Sequence, residues 1–176
     1  MPLISKPAVD VVIAILSDPQ TGFNRNLSLA ADTYGIKPYT VDWSPKSANF
    51  IDCDLNPDSL EQSANITYPY TTVDTLEVAD DSRVIAAVFA GTVLVSIKVH
   101  ISTTNEQTPR SISPLTRAIE DAMFQTLNFE ATLGAYMTAG FTINGRWRCQ
   151  KSPTVFAAQN WRRSIMFSNA FGRITN

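Results

Sequence analysis

The stretch VFAGTVLVSIKVHIS, residues 88–102, alternates almost without a break. Phe89, Gly91, Val93, Val95, Ile97, Val99 and Ile101 fall on one side, while Ala90, Thr92, Ser96, Lys98 and His100 fall on the other. A period of two is the pattern of a strand with one face in the core. At ~3.3 Å per residue this strand would reach roughly 45 Å, although a compact domain of such a chain is only about 40 Å across. Few folds accommodate a strand as long as the domain, so it anchors every further assignment.

On the N-terminal side, Ser5 and Pro7 suit the start of a helix, and Val9, Val12, Ile13 and Leu16 follow at helical spacing. The run Asp18-Pro-Gln-Thr-Gly22 ends it, since proline lacks an amide donor and glycine tolerates left-handed dihedrals. Residues 26–31 suit a helical turn or a loop equally. Two short strands are expected at 49–54 and 66–78, separated by Asn56-Pro57-Asp58, with Pro69 favouring an edge strand or a strand's beginning. The acidic cluster Asp74, Glu77, Asp80 and Asp81 is expected at the turn into the long strand. Residues 103–113, polar and containing Pro109, read as an exposed loop of about ten residues, a length often found in functional or mobile loops. Ser113-Pro114 then opens a second helix, whose apolar stripe is Leu115, Ile119, Met123 and Leu127. In AGFTINGRWRC a three-residue loop Ile143-Asn144-Gly145, glycine in the left-handed position, would pair Phe141 with Trp147 and Thr142 with Arg146. A last strand at 161–168 rejoins the sheet. The expected fold is α+β, one domain spanning 1–176: a mostly antiparallel β-sheet with two helices packed on one face.

Composition narrows the chemistry. With 44% hydrophobic and 17% charged residues the chain can build one real core. Its formal net charge of -2 argues against a phosphate-binding basic face. Arg146-Trp147-Arg148 and Trp161-Arg162-Arg163 are basic and aromatic, but a strand register turns the tryptophans inward. Pairing of these arginines with carboxylates of another subunit is the better reading. Cys53 and Cys149 form no CxxC and suggest a reduced setting. The apolar run near the N-terminus is bracketed by Asp10 and Asp18 and reads as neither signal peptide nor membrane span. Asn26 and Asn65 head glycosylation sequons that read as chance matches. His100 is the one histidine, so a Ser-His-Asp or Cys-His site would have to use it, and no G-x-S-x-G elbow or cysteine signature accompanies it. One histidine cannot make a histidine-rich metal site, the acidic cluster lacks the Asp-x-Asp-x-Asp-Gly loop pattern, and no glycine-rich phosphate loop occurs. No catalytic residue, cofactor or metal is expected.

The whole chain resembles a neck-region protein of a tailed bacteriophage, of the tail terminator (tail completion) family. The resemblance rests on the length, the N-terminal helix (7–16), the β-meander peaking in SRVIAAVFAGTVLVSIKVHIS, the helix at 114–127 and the closing strand NWRRSIMFSNAFG. It implies a structural virion protein without catalytic residues that forms a homohexameric ring on the tail tube, ends tube polymerisation and meets the head-side connector. Its implied partners are other copies of itself, the tail tube protein, the connector or adaptor and, in a contractile tail, the sheath protein. Genomic DNA would pass through the pore without specific binding. Its setting would be the virion neck, and the host cytoplasm during assembly. A head–tail adaptor or stopper ring, or an unrelated small binding module, are the other readings. A strand as long as the domain then makes sense: one end runs through the core and the other extends as a projecting β-hairpin whose edges a neighbouring subunit can satisfy. Lys98, His100, Arg110, Arg162 and Arg163 are the expected interface residues. Asp74, Glu77, Asp80 and Asp81 are expected at the pore, where acidic walls would let a duplex slide.

Overall fold

The computed structural model describes residues 5–44, 47–52, 66–79, 92–103, 109–128, 130–157 and 159–173. In chain order these form α1 (Ser5–Ser17), α2 (Phe23–Tyr34), β1 (Phe50–Asp52), β2 (Tyr70–Ala79) and β3 (Thr92–Thr103). There follow α3 (Pro109–Leu127), α4 (Glu130–Thr138), β4 (Phe141–Ile143), β5 (Arg148–Lys151), β6 (Val155–Ala157) and β7 (Asn160–Arg173). The fold is α+β, as the sequence predicts. The described helices number four rather than two.

Strand β3 lies inside the sheet, antiparallel to β2 on one side and to β7 on the other; β1 joins β2 in parallel. The predicted alternation is realised: Val93, Val95, Ile97, Val99 and Ile101 are all buried. On β7 the same face carries Ile165, Phe167, Asn169 and Phe171, set opposite Val99, Ile97, Val95 and Val93. Each fully buried aliphatic or phenyl side chain contributes roughly 1.5–3 kcal/mol relative to an exposed one, which pins the register against a one-residue slip. Residues 88–91 of the expected strand lie outside the described residues.

The helices complete this core. Ala8, Val9, Val12 and Leu16 of α1 join one cluster with the odd residues of β3, while Ile13 is only half-buried. Asp18 ends α1 and starts the next turn: its Oδ1 accepts from the amides of Gln20 and Thr21, both at 2.8 Å. Gly22 is required there for space, since a Cβ would lie 2.3 Å from the Asp18 carbonyl oxygen. The ambiguity at 26–31 resolves as helix, because Phe23, Leu27 and Ala31 share a buried face. Asn26 is itself buried, its Nδ2 donating to Thr21 O (3.0 Å) and Thr126 Oγ1 (2.9 Å), which leaves it no freedom to carry a glycan. Tyr34 donates to Asp121 Oδ2 at 2.5 Å, so α2 runs antiparallel to the C-terminal half of α3 and is joined to it near both of its own ends.

Two expectations are corrected. Residues 109–113 are the first turn of α3 and not loop, with Pro109 at its start and Pro114 inside it. Burial of Ile112 rewards the extra turn, and a proline so near a helix start removes few hydrogen bonds. Residues 104–108 lie outside the described set. Secondly, Phe141 and Trp147 do not pair across a hairpin loop. β4, β5 and β6 all pair antiparallel with β7, at Phe141↔Arg173, Arg148↔Ser168 and Val155↔Arg162. β7 runs to Arg173, well past the predicted end at residue 168, and its free edge takes all three segments. The 144–147 bulge is held by the buried Asn169, whose Oδ1 accepts from Asn144 N (3.2 Å) and whose Nδ2 donates to Gly145 O (3.3 Å). Gly145 does adopt the expected left-handed conformation, φ 68°. An exposed hairpin is formed by β6 and the start of β7, with Ser102 and Thr103 of β3 paired to Arg162 and Trp161 on the other side; residues 80–91, between β2 and β3, lie outside the described residues, and with them the projecting end expected for the long strand.

Candidate interaction surface

The side of the sheet that carries the even residues of β3 and β7 holds most of the residues the sequence points to. Lys98 sits between Thr72 of β2 and Met166 of β7, half-buried. One step along, His100 pairs with Tyr70 and Ser164. Its ring stacks on Tyr70 with centroids 4.3 Å apart and planes 11° from parallel, and Tyr68 meets Tyr70 edge-on at 5.2 Å. His100 is therefore not a solvated histidine. Burial, with a smaller contribution from the Lys98 ammonium, pushes it down to about 4, so it is neutral at pH 7.

That shift has a sign. The unfolded chain takes up a proton near 6.5 and the folded one only near 4, so the stability contributed by neutral His100 is full above about pH 6.5 and is lost as pH falls toward 4. Urea midpoints of the wild type should drop across this window more than those of His100→Phe, which keeps the stack without the titration. Parallel profiles for the two proteins would show that His100 is not the group responsible.

Arg162 is exposed at the end of the sheet, facing Ser102 of β3 and Val155 of β6. Arg163 is partly committed within the chain, its Nε donating to Ser152 O at 3.1 Å. Arg110 lies in the first turn of α3 and is not a loop residue. The expected interface set is thus dispersed: Lys98, His100 and Arg162 share a face, and Arg163 and Arg110 stand apart from it.

The acidic group is likewise divided. Asp74 and Glu77 are within β2, opposite Ser96 and Leu94 and separated by a register shift, so they do not sit in a turn. Asp80 and Asp81 lie outside the described residues, as does Cys53. Cys149 is a free thiol that burial, chiefly, and Glu120 push up to about 11, far from the thiolate form a nucleophile needs. Among the described residues no three His, Cys, Asp or Glu side chains gather as a metal site, and no described helix is long and apolar enough to cross a membrane.

What the sequence reading passed over is the β6–β7 tip. All three residues of β6 are exposed, Val155 by 51% and Phe156 by 52%. Phe156 packs on Trp161 across the hairpin with centroids 5.1 Å apart, so Trp161 is half-exposed here while Trp147 is buried as expected. A short turn at Gln159, in the left-handed region at φ 62°, reverses the chain between Ala157 and Asn160. Apolar side chains on this end of the sheet, three strands wide at Trp161 and Arg162, are held out in water by backbone pairing, a cost that a docking surface would recover on binding. The sequence signal was the apolar run Val155-Phe156-Ala157 beside two arginines. Further large exposed apolar residues lie on the helices: Leu29, Leu133 and Met137.

No protein-family model matches this chain, and no curated protein matches it.

Proposed function

We propose that this chain is a self-assembling structural subunit, the ring-forming neck protein of a tailed bacteriophage of the tail terminator (tail completion) type that its sequence resembles. The observation that carries the reading is the exposed tip: an apolar, arginine-flanked hairpin at one end of a sheet suits a contact between subunits better than a small-molecule site. Helix α1, the central β3, α3 after it and the closing β7 follow the order that the resemblance implies. Heterologous contacts between identical subunits close into a ring when the rotation per subunit permits. In this role the ring caps the tail tube, and the tube protein and head-side connector are its partners.

Native mass spectrometry near physiological ionic strength should give a homohexamer, and negative-stain images should show a central pore. Co-sedimentation with tube ends is expected. A monomer at all concentrations sinks the ring, and binding to portal with none to tubes turns the reading to an adaptor or stopper.

A further inference from the structure

The charges of this chain are segregated in a way that its small net value hides. Residues 131–176 carry six basic side chains, Arg146, Arg148, Lys151, Arg162, Arg163 and Arg173, and no Asp or Glu; residues 1–130 carry the other eight basic and all sixteen acidic residues, giving +6 and -8. The cationic part includes the whole β4–β7 hairpin, and at its tip stand Val155, Phe156 and the exposed Arg162. A surface with this composition calls for an apolar recess bearing negative charge.

Among the described residues, three clefts are lined at least in part by helices. Two are rimmed by an arginine, Arg25 in one and Arg146 in the other, which would repel the tip. The third, of about 380 Å³, lies between α1 and α4; Val11, Ala14, Ile15, Thr132 and Ala135 line it, and Asp18 is the one ionisable side chain among its described lining residues. Asp18 is fully exposed, and the amide hydrogen bonds from Thr21 and Gln20 hold its carboxyl below the ordinary range, so it is charged at neutral pH.

We infer that the β6–β7 tip of one copy docks end-on in the α1–α4 cleft of a second copy, Phe156 on one face of the tip against one apolar wall, and Val155 with its cross-strand partner Arg162 on the other face, Arg162 toward Asp18. The tip cannot reach its own cleft. Helix α4 packs on β4, which pairs with the 171–173 end of β7, whereas the tip is at 160–162. Ten residues of strand separate the two ends, roughly 33 Å at ~3.3 Å per residue. A contact between different patches at opposite ends of one subunit is heterologous, and it propagates head to tail. This contact deepens the ring proposed above and rests on that reading for its biological setting.

The test uses the full-length chain and two variants at solvent-exposed positions, Phe156→Asp in the tip and Ala135→Arg in the cleft, followed by native mass spectrometry and sedimentation. Each variant alone should lose the assembly and run as a folded monomer with wild-type circular dichroism. Mixed in equal amounts they should form 1:1 dimers, because the first keeps an intact cleft and the second an intact tip. Raised salt should weaken those dimers by screening Arg162 from Asp18. Wild-type protein that forms head-to-tail dimers or open chains, lost in both variants, supports this contact and counts against the closed ring. A closed ring that persists in both variants, or variants that do not complement on mixing, overturns the contact and leaves the ring reading standing. A wild type that is monomeric throughout overturns both.

Discussion

Replacing Val95 by aspartate is expected to abolish the cooperative fold. Val95 is fully buried, near the start of β3, with Thr75 and Asn169 as its neighbours on the adjoining strands. No described cation is packed against it, so the carboxyl must either bury its charge or bind a proton, and both routes cost several kcal/mol. The lost valine contact adds to that. Domains of this size are stable by only about 5–15 kcal/mol, so the variant should lose its near-ultraviolet circular dichroism and express largely as insoluble protein. Lys98→Ser and His100→Ser, on the opposite side of the same strand, should keep the native spectrum. A folded, soluble Val95→Asp would mean that the register of β3 is wrong.

The second large effect is expected at Phe171. Its ring meets those of Tyr136 (5.3 Å), Phe141 (5.9 Å) and Trp147 (5.8 Å), all in edge-on or near edge-on geometry. Through these three contacts β7 holds α4, β4 and the bulge that precedes β5. Phe→Ala in a packed core costs about 3–5 kcal/mol, and aromatic pairs contribute beyond their buried area. Phe171→Ala should therefore lower the urea midpoint by a matching amount. It should also strip hydrogen-exchange protection from 136–147 before β2 is affected, since its ring contacts are to Tyr136, Phe141 and Trp147 and its strand neighbour in β3 is Val93 alone. A loss under about 1 kcal/mol, or uniform loss of protection, would remove Phe171 from this role.

The distribution of what was readable follows from where each signal resides. Strand β3 was legible because one-sided burial leaves a period of two in the residues themselves, and α1 and α3 because a single apolar stripe does the same at helical spacing. Helix α4 was missed because it has no such stripe. Only Thr132 and Tyr136 of its described side chains are buried, while Leu133 and Met137 face outward. The candidate contact was legible only in fragments, as basic residues beside tryptophans, since neither the exposure of Phe156 nor the cleft beside Asp18 is a local property.

By itself the sequence determined the α+β class, the face that β3 buries and the core stripes of two helices, since these depend only on which side chains must leave water. The tertiary structure decided the rest. Phe141 and Trp147 look like partners over a short loop, yet both pack on Phe171 because β7 offers a longer edge and Asn169 satisfies the bulged backbone. His100 looks solvated on its strand, yet Tyr70, thirty residues earlier, stacks on it and helps keep it neutral. Strand pairing and burial on the polar side of a strand are set by edges and rings that arrive from distant parts of the chain, and no local periodicity encodes them.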